Sequence, residues 1–376
     1  MRKKRVLIIT RNLPPLVGGM ERLNWHMADE LSKHAEVHVI GPSGSSILKP
    51  QNVKLSEAPL SPLSLFMLVT LIKTIWEALT FRPDIILAGS GLTAPVAWLA
   101  SKLCGARSAA YLHGFDITVK NRIYQNFWVS KFKKLDQVIV NSTPTRDLAL
   151  NTGVSKDKIS IVHPGVTIPD KPQPAEKIAA FKQKHNLEHK KILLSVGRLT
   201  TRKGLAEFVE HALPEIVRQV PETVLVVVGE APNYSLGAGI QSRESIERRA
   251  AALGLSDHLL FLGVITDPTQ LAVVYEAADL HVFPVRHIPD DPEGFGMVAI
   301  EAAAHGLPTV AFATGGVVDA VKPDKSGHLA EKDNYHMLSN LIVSGLQHPI
   351  DSETTKSFSK RFSWENFGLA VTKAMS

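Results

Sequence analysis

Lys191-Ile-Leu-Leu-Ser-Val-Gly-Arg-Leu-Thr-Thr-Arg-Lys-Gly204 decides the fold. Ile192 to Val196 is a short apolar run without polar alternation, the pattern of a strand buried on both faces. It stops at Gly197 in a turn that carries Arg198 and Lys203. The same kind of run recurs before it, at Val6-Leu-Ile-Ile9, Val37-His-Val-Ile40, Ile85-Ile-Leu87, Ala109-Ala-Tyr-Leu112 and Val138-Ile-Val140. After it come Val224 to Val228, Leu259-Leu-Phe-Leu262, Leu280 to Phe283 and Thr309-Val-Ala-Phe312. Helical patterns separate these runs. Two successive sets of strand–helix alternation predict an α/β chain of two doubly wound, Rossmann-like domains.

The join is a proline-rich stretch from Ile159 to Pro174 without periodicity, and Ala175 begins a new helix. The predicted domains are residues 1–168, residues 169–357, and a single terminal helix, 358–376, that docks on an apolar surface. A length of 376 residues, 44% hydrophobic and 21% charged, suits such a pair of cores. The single cysteine, Cys104, excludes an internal disulfide and a cysteine-based zinc site. Arg2 to Arg5 precedes only Val6 to Thr10 before Arg11, too short a run for an export signal. Pro59 to Phe81 is rich in Leu, Phe and Ile but contains Pro62, Lys73 and Glu77, and reads as a buried or interfacial helix.

Charge is uneven. Residues 1–165 hold 21 Lys/Arg against 11 Asp/Glu, whereas the remainder holds 21 against 25. A basic first half suggests an anionic partner there, either nucleic acid or a membrane surface. An aromatic content of 6%, with no interleaved basic and aromatic stacking motif, disfavours nucleic acid. A solvated face is the plainer account of each basic cluster.

Candidate chemistry lies where strands end, because open α/β sheets bind ligands outside the carboxyl ends of their strands. Arg198 and Lys203 could grip a diphosphate there, one as a fork and the other as a point charge. In the first half, Gly18-Gly19 precede a helix and could bring N–H groups close to a phosphate or a sugar oxygen, though a plain strand-to-helix turn has the same form. Gly229-Glu230, then Pro232 and Asn233, could shape a base pocket. His113-Gly-Phe-Asp116 puts a histidine at a strand end, where a core histidine reads equally well. Thr314-Gly-Gly316 offers further backbone donors.

The longest composite signal is Glu293-Gly-Phe-Gly-Met-Val-Ala-Ile-Glu301-Ala-Ala-Ala-His-Gly-Leu-Pro308. If Gly296 to Ala304 is helical, its two acids stand ~12 Å apart along the axis, a span suited to an elongated ligand. A core helix with a solvated Glu at each end has the same pattern. No Asp-x-Asp, His-Glu-x-x-His, Gly-x-Ser-x-Gly, Walker or dinucleotide Gly-x-Gly-x-x-Gly motif is present.

Taken together, Gly18 to Glu21, His113 to Asp116, Gly197 to Gly204 and Glu293 to Pro308 resemble the retaining glycosyltransferases of family 4, which have the GT-B fold. The resemblance runs nearly end to end, and the combination is specific although no single piece is. It implies a hexosyl transfer from a nucleotide-sugar donor without a metal or other cofactor. Arg198 and Lys203 would hold the diphosphate, joined by Gly18, Gly19 and Gly197. Glu293 would lie by the sugar, with Phe295, Gly296 and Met297 presenting backbone to it. Glu301 would bind the ribose, Glu230 would border the base, and His113 would stand near the reacting carbon.

Some positions depart from the family pattern. His163-Pro-Gly-Val-Thr167 replaces Asn-Gly-Val-Asp at the linker, and Asp319 replaces the Glu after Gly315-Gly316. The loop with Arg286, Asp290 and Asp291 looks like that of the phosphatidylinositol mannosyltransferase branch, which uses GDP-mannose. The resemblance also implies a lipid-linked or glycan acceptor and a cytoplasmic enzyme peripheral to the inner face of the cytoplasmic membrane. A sugar-nucleotide epimerase of the same fold, a nicotinamide dehydrogenase and a non-catalytic sugar-binding protein are the competing readings.

Overall fold

Two parallel sheets organise the chain. The structure is a computed structural model that describes residues 2–232 and 239–376. The chain divides into two compact units, residues 1–165 with 362–376, and residues 166–361.

In the first unit the strands are β1 (Lys4–Ile9), β2 (Ala35–Pro42), β3 (Val53–Ala58), β4 (Ile85–Ala88), β5 (Arg107–Leu112), β6 (Gln137–Val140) and β7 (Ile159–Ile161). Their order is β3-β2-β1-β4-β5-β6-β7, all parallel. The chain leaves β1 towards β2 and leaves β4 towards β5, so the winding reverses between β1 and β4. Right-handed crossovers therefore put α1 (Gly19–Ser32) on one face, and α2 (Leu63–Thr80) and α3 (Ala94–Cys104) on the other. Ile159 to Ile161, expected as linker, is an edge strand paired only with β6. The linker proper starts after Val162, whose N–H still bonds to Val140.

The tail also differs from its expected single element. Phe358 is buried in the helix Ser352–Ser359, which packs on the helix Met297–Ala304 of the second unit. Ser363 then caps a separate helix, Trp364–Ala374, by accepting from the Asn366 N–H. This last helix packs against α1. His26 stacks on Trp364 at 3.9 Å between centroids, and burial, aided by Arg22 and Lys33, pushes its imidazole down to about 4. Gly165 lies under the Trp364 ring, and a Cβ there would collide with it.

The second unit contains β8 (Lys191–Val196), β9 (Thr223–Val228), β10 (Leu259–Gly263), β11 (Leu280–Phe283), β12 (Thr309–Phe312) and β13 (Gly327–Ala330). The order is β10-β9-β8-β11-β12-β13, again all parallel. Successive residues feed opposite faces: Leu193 belongs to one buried cluster, Ile192 and Leu194 to another. That double burial is why β8 reads as an uninterrupted apolar run. Here the winding reverses between β8 and β11.

Candidate active site

The second unit gathers its charged side chains at that reversal, where neighbouring connections diverge and open a crevice at the strand ends. After β8 the chain turns through Gly197 (φ 142°) and a short 3-10 turn, Thr201–Lys203, to Gly204 (φ 68°). After β11 it runs from Pro284 to the helix Met297–Ala304. The two loops are stitched together. The Arg286 N–H donates to the Arg202 carbonyl at 2.9 Å, and a Cβ on Gly204 would strike the Pro284 carbonyl.

This brings Lys203 to Glu293 across 90 residues, Nζ to Oε2 at 2.8 Å. Arg202 joins them. Its guanidinium donates to the Pro292 carbonyl at 2.9 Å, and lies 3.4 Å from Glu293 Oε2 and 3.5 Å from Asp291 Oδ2. Lys203 Nζ also stands 4.5 Å over the Phe283 ring, a cation–π contact. Arg198 is exposed and has no carboxylate partner among the described residues. Burial by itself would raise the Glu293 carboxyl, but Arg202 and Lys203 outweigh it and bring it down to about 2. Burial, with Arg202 and Arg198 nearby, pushes the Lys203 ammonium below the usual lysine range against the pull of Glu293. Three cations share a pocket with two carboxylates, so the site holds surplus positive charge that an anion would relieve.

Glu293 is not on the helix. Gly296 (φ 94°) is the residue before its first turn, so helical rise does not set the separation of Glu293 and Glu301. What holds the acidic loop is the glycine pair behind it. The Gly316 N–H donates to the Glu293 carbonyl at 2.8 Å, and a Cβ on Gly315 or Gly316 would collide with the Glu293 or Gly294 carbonyl. Gly316 is thus spent on scaffolding rather than offered to a ligand. Arg286 is likewise engaged, with Glu207 at 2.8 Å, and Gln241 braces the same carboxylate at 2.7 Å.

Glu301 lies one turn into its helix, half-buried, and accepts from the Tyr275 hydroxyl at 3.2 Å. Tyr275 stacks on His305 with an interplanar angle of 5°. His305 meets Glu276 at 2.9 Å, and Glu276 accepts from the Gln173 N–H at 2.6 Å. Phe295 is buried, so only its backbone can face a ligand. Met297 is the first helical residue. Glu230 is exposed beyond β9, its side chain turned towards Gly263 at the end of β10. Gly229 packs directly on Gly197, and a Cβ there would strike the Gly197 carbonyl. Asn233 lies outside the described residues.

In the first unit His113 reaches from the end of β5 back to the end of β4. Its Nε2 is 2.9 Å from the Gly89 carbonyl. A carbonyl only accepts, so Nε2 carries the proton. Asp116 shapes the turn, accepting from the N–H groups of His113, Gly114 and Gly91. Gly18 is extended rather than left-handed, so space and not backbone freedom explains it. The Glu21 carboxylate, held by Asn12 at 2.8 Å, lies against it where a Cβ would be.

Arg202, Asp291 and Tyr275 were not singled out from the sequence for these roles. Arg202 adjoins Lys203 in the turn, and that neighbourhood was the available signal. Nothing local marks Tyr275.

Cations thus stand at the switch point of the second unit, and in the first a histidine from the end of β5 reaches the end of β4. The model of glycosyltransferase family 4 matches residues 17–168, and that of the group 1 glycosyl transferases matches residues 177–362. The chain belongs to the family 4 glycosyltransferases.

This glycosyltransferase is 25% identical, over 92% of its length and 90% of the relative's, to the GDP-mannose-dependent α-(1-6)-phosphatidylinositol monomannoside mannosyltransferase of Mycolicibacterium smegmatis. It is 29% identical to D-inositol 3-phosphate glycosyltransferase 2 of Catenulispora acidiphila, covering 78% of this chain and 70% of that one. Among solved structures it resembles Anabaena HepE in complex with UDP, with a TM-score of 0.81 at 20% identity over 99% of both chains. That likeness shows the fold, which is GT-B. As a transferase using nucleotide sugars, the protein leaves the epimerase, dehydrogenase and sugar-binding readings aside.

Proposed function

We propose that this glycosyltransferase moves a hexose, with retention of configuration, from GDP-mannose or a UDP-sugar to a lipid-linked or glycan acceptor in cell-envelope polysaccharide or glycolipid synthesis. The observation that carries the reading is the cation cluster of Arg198, Arg202 and Lys203 around Glu293 at the switch point. A departing diphosphate there meets positive charge already held in place, which stabilises the transition state without reorganisation. Arg198, still unengaged, grips the diphosphate as a fork, and Lys203 turns part of its charge from Glu293 to a phosphate oxygen. These side chains supply the charge a metal would otherwise bring, so the reaction proceeds without one.

The remaining roles are those that the family resemblance implies. Glu293 and the backbone of Phe295, Gly296 and Met297 face the sugar hydroxyls. Glu301, oriented by Tyr275, takes the ribose hydroxyls, and Gly197 and Glu230 border the nucleotide. His113 contacts the sugar, and Gly18 and Gly19 donate to the diphosphate once Glu21 turns aside. Retention by same-face displacement needs no general base. The likeness to a mannosyltransferase named for GDP-mannose favours that donor. The basic first 165 residues support a cytoplasmic enzyme working at the inner face of the membrane.

A thermal-shift and calorimetric screen against GDP, UDP, ADP and their sugar conjugates tests this reading. Selective stabilisation by one diphosphate, unchanged by a chelator, is expected. Stabilisation by none of them overturns it. The anomeric configuration of the transfer product, read by proton NMR, tests retention.

A further inference from the structure

One face of the helix Met297–Ala304 carries polar groups that its packing alone does not account for. Glu301 and His305 stand four residues apart, so they lie on the same face, a turn from each other. The positions between and around them, Ala299, Ile300, Ala302 and Ala303, are buried and apolar. The side chains of His305, at the helix end, and of its partner Glu276 are only 14 and 11% exposed. A polar pair so far withdrawn from water gives up solvation that an apolar pair of like shape would not.

Tyr275, on the helix Pro268–Ala277, connects that pair to the site. Its ring is buried and lies parallel to the His305 imidazole, 5.3 Å between centroids. Its hydroxyl donates to Glu301 Oε2 at 3.2 Å. One tyrosine thus touches both polar residues of the face. The imidazole is itself fixed. A carboxylate only accepts, so Nδ1 carries the proton and donates to Glu276 Oε1 at 2.9 Å. The other Glu276 oxygen accepts from the backbone N–H of Gln173 at 2.6 Å. Backbone therefore anchors the carboxylate, the carboxylate the imidazole, the imidazole the phenol ring, and the phenol Glu301. A glutamate without such support samples several rotamers, and a ligand that needs one of them must bear the cost of ordering it.

We infer that Glu276 and His305 are positioning residues that fix Tyr275, and through it the Glu301 carboxylate, in the arrangement that selects a ribonucleotide donor over its deoxy analogues. The inference rests on the proposed reading of Glu301 as the ribose ligand. A carboxylate can accept from both hydroxyls of a ribose when its oxygens face them. Removing one hydroxyl leaves an acceptor without its donor, and the loss is felt more, the less the carboxylate can turn away to another partner. Once the pair is broken, Glu301 is free to turn, and the two kinds of nucleotide bind more nearly alike. Neither Glu276 nor His305 touches the nucleotide; both act on Glu301 through Tyr275.

The test is calorimetry of the full chain with GDP and UDP, each beside its 2′-deoxy and 3′-deoxy analogues. Wild type should prefer the ribonucleotide to its analogues, and Glu301→Ala should abolish that preference. His305→Phe keeps a flat ring beside Tyr275 but removes the bond to Glu276, and Glu276→Ala removes the same bond from the other side. Either should lower the preference about three- to tenfold by weakening the ribonucleotide, with deoxynucleotide affinity and the far-ultraviolet circular dichroism held near wild type. Added to Tyr275→Phe, either should cause no further loss, because the effect runs through that hydroxyl. If Glu301→Ala keeps the preference, the ribose assignment falls and this role with it. If Glu301→Ala abolishes the preference while His305→Phe and Glu276→Ala retain it, the positioning role alone falls. An equal loss for ribo- and deoxynucleotides, or a loss additive with Tyr275→Phe, marks a general support of the fold and likewise overturns it.

Discussion

Glu293→Gln removes the charge that two partly buried cations share, and its cost follows from the geometry. Glu293 Oε2 lies 2.8 Å from Lys203 Nζ and 3.4 Å from Arg202 Nη1. Burial opposes ionisation, the two cations favour it, and the balance carries the carboxyl from 4.5 to about 2. At 1.4 kcal/mol per pH unit, that displacement corresponds to about 3 kcal/mol. A depressed carboxyl stabilises the fold fully above its unfolded value and loses that contribution as the pH falls. Wild type should therefore shed this stabilisation between about pH 4.5 and 2, whereas Gln, which does not titrate, should not. At pH 7 the variant should be less stable by about 3 kcal/mol, as expected when one side of a buried pair is deleted. The gap should close as the pH approaches 2. Two compact units need not unfold together, so the measurement must be local. Hydrogen exchange of the β8 and β11 amides, in wild type and variant across pH 7 to 3, reports the second unit alone. Parallel pH profiles, or no gap at pH 7, would refute the assignment of Glu293 as the counter-ion of Lys203 and Arg202.

Three further outcomes are expected. Lys203→Ala should lower turnover by about 10² or more with the fold intact, and near-normal turnover would remove it from the diphosphate site. In wild type, because the Lys203 ammonium is held below its usual range and only its charged form attracts the diphosphate, calorimetric affinity should fall as the pH is raised. A flat alkaline profile counts against that. Glu301→Ala should weaken nucleotide binding more than turnover at saturating donor, and Tyr275→Phe should do so more mildly, by about 1 kcal/mol. Unchanged donor affinity in both would refute the ribose assignment. Gly316→Ala should destabilise the second unit by 2 kcal/mol or more, because its methyl meets the Gly294 backbone and must displace the acidic loop. A wild-type melt with unaltered diphosphate affinity would show that the loop adapts freely.

Much of the architecture was legible because central parallel strands are buried on both faces and leave uninterrupted apolar runs. The three strands not recognised, β3, β7 and β13, are all at sheet edges. An edge strand pairs on one side only and is more shallowly buried, so Val53-Lys-Leu-Ser-Glu-Ala58 and Gly327-His-Leu-Ala330 show no such run. The tail was legible as apolar and helical, but its division was not. Ser363 ends one packing environment and begins another, and a cap of that kind is visible only when its Asn366 partner is.

The sequence by itself determined the family, the α/β plan and the residue types of the proposed donor site. Strand-end glycines and paired cations are local patterns that survive without coordinates. The tertiary structure decided which charges meet. Lys203 and Glu293 are joined because β8 and β11 are neighbours at the point where the winding reverses, and Arg202 joins them because its turn is bonded to the Arg286 loop. It also decided that Gly316 braces Glu293, that Tyr275 orients Glu301, and that α2 turns its leucines outward. A linear pattern records which side chains alternate along a segment. Which of its two faces the sheet covers, and which distant loop lies opposite, is set by the order of the strands.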